Sequence, residues 1–140
     1  VTGPESTNAI LVIYDIFGYF PQTLQGADIL ATSDKDHSYQ VFMPDFFEGE
    51  AASISWYPPV TDEQKTQLYS WFSTRDPTMG VSKIPKILAD IEAAYGKKTW
   101  AALGVSFFPP SPCPGLEQSL LLTVLSSIAG VVKSSLSRLE

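Results

Sequence analysis

Two acids in this chain stand where an apolar run gives way to a glycine-bearing turn. One run is Ile13-Tyr14-Asp15-Ile16-Phe17-Gly18, the other Phe42-Met43-Pro44-Asp45-Phe46-Phe47-Glu48-Gly49. In an open α/β sheet, chemistry sits at the carboxyl ends of the strands. Asp15 therefore reads as a strand-end carboxylate near a pocket, or structurally as a loop acid that caps the turn after it. Asp45 and Glu48 look like paired carboxylates; capping of the loop around Gly49 is the favoured role.

The other chemistry-bearing residues are sparse. His37 is the only histidine, so a multi-histidine metal site is excluded, and its setting, Asp34-Lys35-Asp36-His37-Ser38, is a polar surface turn. Cys113 is the only cysteine, which rules out an internal disulfide and a four-cysteine zinc site. It lies between prolines with no base or positive charge to lower its pKa, and reads as inert. Trp56 and Tyr57 could line a pocket, but the favoured reading packs them, with their long connection, onto the core. No metal and no cofactor are expected.

Those residues need a scaffold, and the hydrophobic pattern supplies one. Ala9 to Tyr14 is a continuous apolar run, the mark of a strand buried on both faces. Gln22 to Ser33 has apolar residues at helical spacing. Tyr39 to Met43 is a second strand, stopped by Pro44. Strand, helix, strand is a βαβ unit. After a long connection, Thr61 or Asp62 caps a helix to about Ser73. Arg75-Asp76-Pro77 breaks it, and Val81 to Tyr95 forms the next helix, with Pro85 near its start and Gly96 at its end. Thr99 to Gly104 is a third strand. The expected fold is α/β, a three-layer α/β/α arrangement with a mostly parallel sheet.

The chain divides at residue 104. Beyond it Phe107-Phe108-Pro109-Pro110-Ser111-Pro112-Cys113-Pro114-Gly115 is too proline-rich for a helix. Residues 105–140 form a divergent Pro/Ser/Leu-rich tail. Val105-Ser106 can be encoded GTG-AGT, a splice-donor sequence, and Ile128-Ala129-Gly130 can be encoded around an acceptor CAG-G. Residues 105–130 therefore read as a translated intron, with 131–140 out of frame.

Composition narrows the function classes. The 140 residues suit one domain, and 44% hydrophobic against 17% charged is a globular balance. A net charge of −6 without a basic stripe argues against nucleic acid as a partner. The apolar run from Leu120 to Val132 is interrupted by Thr123, Ser126 and Ser127, so no membrane span is expected. Val1-Thr2-Gly3-Pro4 has no signal-peptide pattern and looks like a processed or truncated start. The lone cysteine points weakly to a reducing, cytoplasmic setting.

Four ordered runs, Tyr14-Asp15-Ile16-Phe17-Gly18, Gln25-Gly26-Ala27-Asp28, Met43 to Gly49 and Ile54-Ser55-Trp56-Tyr57-Pro58-Pro59, resemble fungal members of the dienelactone hydrolase family over about residues 9–104. The resemblance implies a partial α/β-hydrolase core over residues 1–104 and an esterase acting on a small-molecule ester or lactone through an acyl-enzyme. It puts Ser106, in Gly104-Val105-Ser106, where the family has a nucleophilic cysteine. Asp15 takes the place of the acid that contacts the nucleophile at rest. The backbone amides of Ile16 and Phe107 take the place of the oxyanion donors. Phe108 stands where the family has a second glycine, and its later Asp and His have no counterpart here. The implied activity is therefore impaired. The alternative is a non-catalytic binding or interaction protein on a truncated hydrolase scaffold, and its open sheet edge predicts a homodimer.

Overall fold

The computed structural model describes residues 1–34, 36–75 and 77–104, without the side chains of residues 77–79 and 81. Ser106, Phe107 and the rest of the 105–140 tail lie outside the described residues. The elements run β1 (Asn8–Ile13), α1 (Pro21–Thr32), β2 (Gln40–Phe42), α2 (Asp62–Thr74), α3 (Pro77–Tyr95) and β3 (Thr99–Gly104), with a single 3₁₀ turn at Ile54–Trp56. This is the α/β architecture expected: a three-stranded parallel sheet in the order β2-β1-β3, with three helices.

Alternation along β1 sends successive side chains to opposite faces of the sheet. Leu11 packs with Ile84 and Leu88 of α3, joined by Ile13, Trp100 and Ala102. Val12 packs the other way, with Ala27 and Ala31 of α1 and Val41 of β2. α1 and α3 thus cover opposite faces, which is why β1 is apolar without interruption. Leu11, Ile84 and Leu88 are almost completely buried, each contributing roughly 1.5–3 kcal/mol relative to exposure. A third cluster, Ile16, Ala52, Leu68 and Trp71, seats α2 and the long connection beyond the carboxyl end of β1. Trp56 packs against it, and the Tyr57 ring meets Phe17 edge-on at 6.0 Å, as the packing reading of that pair anticipates.

Helix ends follow local chemistry. Thr61 caps α2 with a reciprocal box: its Oγ1 accepts the Gln64 N–H at 3.2 Å, and Gln64 Oε1 accepts the Thr61 N–H at 3.0 Å. Gly96, at φ +79°, ends α3 in the left-handed conformation that glycine adopts without strain. α3 differs from expectation at its start. It begins at Pro77, four residues before Val81, so Pro85 lies inside the helix. The proline that fits a helix start is Pro77, and Pro85 instead removes one hydrogen bond from the middle.

No helix among the described residues is long and apolar enough to cross a membrane.

Candidate functional site at the carboxyl rim

β1 and β3 run parallel, side by side, with Ile13 opposite Gly104. Both therefore end at the same rim. Asp15 leaves β1 there, two residues past Ile13, beside the point where the chain runs on from Gly104 towards Ser106. The site expected from sequence is thus bounded on its β1 side by described residues. Its other half, Ser106 and Phe107, is outside them.

Asp15 is half-buried. Its Oδ1 accepts the Phe17 N–H at 3.0 Å, and its carbonyl accepts the Gly18 N–H at 3.2 Å. The capping role is therefore real: the carboxylate folds its own turn. Among the described residues no donor meets its other oxygen. The Ile16 side chain is buried among Ala52, Leu68 and Trp71. Its carbonyl accepts the Ala52 N–H at 2.8 Å, while its own N–H makes no backbone hydrogen bond to the described residues. Gly18 closes the turn at φ +66°, with Ala51 Cβ only 2.9 Å from where a side chain would begin. Any other residue would push the two loops apart.

The loop after β2 is tied to this turn. Tyr14 OH donates to Asp45 Oδ1 at 3.2 Å and accepts the Phe46 N–H at 2.8 Å. Asp45 Oδ1 also accepts the Phe47 N–H at 3.1 Å, and its Oδ2 accepts the Gly49 N–H at 2.8 Å. Tyr19 OH donates to the Met43 carbonyl at 2.7 Å. Asp45 is thus a loop cap, as favoured from sequence, and Glu48 pairs with Lys83 at 2.5 Å rather than with Asp45. That lysine holds the Glu48 carboxyl below its ordinary value. Burial, reinforced by the Asp45 charge, pushes the Tyr14 phenol well above its ordinary value, so Tyr14 stays neutral and serves as a fixed donor. Sequence reasoning missed Tyr14 and Tyr19; their partners lie 31 and 24 residues away along the chain.

His37 lies away from the rim, its Nδ1 3.1 Å from Asp34 Oδ2 in an exposed turn. Among the described residues no cluster of His, Cys, Asp or Glu could hold a metal. An apolar groove of about 280 Å³ opens between the end of β2 and α3, lined by Phe42, Met43, Ile87, Ile91 and Tyr95. Its one acid, Asp90, is paired with Lys86 at 2.6 Å. The polar groups that lack a hydrogen-bond partner among the described residues lie instead at the rim, at Asp15 and Ile16.

The chain is similar to two Schizosaccharomyces pombe proteins, each named an uncharacterized AIM2 family protein. One is 34% identical over 97 residues and the other 35% over 98. Each match takes in 69% of this chain and 38% of the relative, so the chain spans well under half the length of the relatives it matches. No family model and no solved structure matches. These findings correct the expectation of a dienelactone hydrolase. The relatives carry the AIM2 family name, with no hydrolase or esterase activity attached, and nothing supports hydrolysis of an ester or lactone. The physical reason is visible in the motifs. Asp15 folds its own turn, Asp45 caps a loop and Gly18 allows a close approach, so the quoted runs report how strands end, which is a property of a fold and not of a reaction. Three parallel strands likewise do not single out a hydrolase core.

Proposed function

We propose that this chain is a small-molecule-binding α/β unit whose ligand seats between the carboxyl ends of β1 and β3. One observation carries the reading: with the order β2-β1-β3 and α1 and α3 on opposite faces, the chain reverses its winding direction between β1 and β3. In open parallel sheets the crevice at that switch point is where ligands bind. Asp15 lies there with one carboxylate oxygen, and Ile16 beside it with a backbone N–H, that have no hydrogen-bond partner among the described residues, and Phe17 supplies an apolar neighbour. An acceptor, a donor and an aromatic wall suit a small organic molecule with an apolar body and a hydroxyl or carbonyl group. The assignment of Ser106 and Phe107 to the same crevice rests on their place in the chain after Gly104. The reading includes a cytoplasmic setting, supported by one cysteine in 140 residues.

Amide spectra of the full chain titrated with benzyl alcohol test the reading. Shifts should concentrate at Ile16, Phe17 and Gly104, and Asp15→Ala should weaken them. Shifts confined to Met43 and Ile91 in the apolar groove, or an affinity indifferent to Asp15→Ala, would sink it.

A further inference from the structure

The turn that carries Asp15 is fastened at both ends to the far side of β1. Tyr14 leads into it and Tyr19 leads out, and both phenols reach the stretch that follows β2, across β1 from β3 and the crevice. Tyr14 OH donates to Asp45 Oδ1 at 3.2 Å and accepts the Phe46 N–H at 2.8 Å. Tyr19 OH donates to the Met43 carbonyl at 2.7 Å, and the two rings pack with centroids 5.2 Å apart. We infer that Tyr14 and Tyr19 are positioning residues, which together clamp the Asp15–Gly18 turn to the loop after β2 and so set where the Asp15 carboxylate and the Ile16 N–H face. The consequence for a ligand rests on the reading proposed above, whereas the clamp itself rests on these contacts.

The path from phenol to carboxylate is short. The Phe17 N–H holds Asp15 Oδ1 and the Gly18 N–H holds the Asp15 carbonyl, so the side chain moves with the turn. From outside, the turn is tied by the two phenols and by the Ile16 carbonyl, which accepts the Ala52 N–H at 2.8 Å. The anchor is itself braced, because the Asp45 carboxylate also accepts the Phe47 and Gly49 N–H groups. The two clamps differ in kind. Tyr14 is buried, and its ring contacts Phe46 and Phe47 as well as Tyr19. Tyr19 is 46% exposed, so the hydroxyl bond to Met43 carries more of its attachment. A turn held in its bound shape spares a ligand the cost of ordering it on arrival. Freeing one end therefore lowers affinity from the side of β1 that faces away from the crevice.

Tyr19→Phe in the full chain tests the clamp, since it removes one oxygen from a half-exposed ring and keeps the ring. Without ligand, the amide protons of Phe17 and Gly18, which close the turn, should exchange roughly threefold to tenfold faster, the worth of one hydrogen bond, while those of Leu11 and Val12 in β1 keep their rates. Benzyl alcohol should bind more weakly by a similar factor, read from the shifts at Ile16 and Phe17. Unchanged exchange at Phe17 and Gly18 overturns the inference, and so does an acceleration that Leu11 shares equally, which would report only lost global stability. Faster exchange at the turn with unchanged affinity overturns it too. A wild type that binds no benzyl alcohol sinks the ligand reading instead, and the exchange rates alone then decide the clamp.

Discussion

Tyr14 and Asp45 are joined side chain to side chain at 3.2 Å, and this contact ties the exit of β1 to the exit of β2. The tyrosine hydroxyl also accepts the Phe46 N–H at 2.8 Å, so one oxygen serves both the capping carboxylate and the loop backbone. Tyr14→Phe keeps the ring contacts with Tyr19, Phe46 and Phe47 and removes both hydrogen bonds. The Phe46 N–H is then left without its acceptor. The expected loss of stability is about 1–3 kcal/mol, the cost of an unmade bond to a partly buried group. Urea unfolding measures it. An unchanged midpoint would mean the two loops are held by their rings alone.

Alkali should unfold the protein through the same residue. The phenols of Tyr14 and Tyr19 are both raised from the ordinary 10.0, by burial first and then by the Asp45 charge. In the unfolded chain they ionise near that ordinary value, so above it the folded state holds more protons than the unfolded one. Stability is then fully present below pH 10.0 and falls as the pH climbs towards the folded-state values. Urea midpoints measured across that range, with tyrosinate absorbance followed in parallel, should show the decline. Tyr14→Phe should flatten it, leaving the part due to Tyr19.

The capping box on α2 offers a cleaner local measurement. Thr61 Oγ1 accepts the Gln64 N–H and Gln64 Oε1 accepts the Thr61 N–H, on an exposed helix start where Gln64 also donates to the Ser55 carbonyl. Thr61→Ala should cost about 1 kcal/mol, and Thr61→Ser should restore most of it. A thermal melt of the three proteins distinguishes a lost cap from a lost methyl contact.

What was legible beforehand follows from the range of the interactions involved. β1, α2 and β3 are written in short stretches: an unbroken apolar run, a capping Thr61 or Asp62 before a helical pattern, a strand that runs from Thr99 to Gly104. The start of α3 was not: Arg75-Asp76-Pro77 reads as a break, whereas the helix begins at Pro77 itself. The Ile54–Trp56 turn is held by Ser53, whose side chain accepts the Ser55 N–H, a signal too small to separate from a loop. Of the candidate site, the capping roles of Asp15 and Asp45 were readable because they bind their own neighbours. The Tyr14 latch joins positions far apart and needed coordinates. The resemblance to a hydrolase family misleads for the complementary reason: those runs encode strand ends and turns, not a reaction.

Gln40 gives the last prediction. It opens β2 at 6% exposure, and its Oε1 is buried with no hydrogen-bond partner among the described residues. Its register partner on β1 is Ala9, itself buried. A buried acceptor left unpaired carries a desolvation penalty of about 1–3 kcal/mol. Gln40→Leu has nearly the same reach, removes the acceptor and keeps the backbone ladder. It should raise stability by about 1 kcal/mol, read as a higher urea midpoint at unchanged slope. Gln40→Glu should do the reverse, because a carboxylate there would be desolvated. If Gln40→Leu instead destabilised the protein, the amide would have to be hydrogen-bonded in solution, through a bound water or a partner on the sheet's amino side.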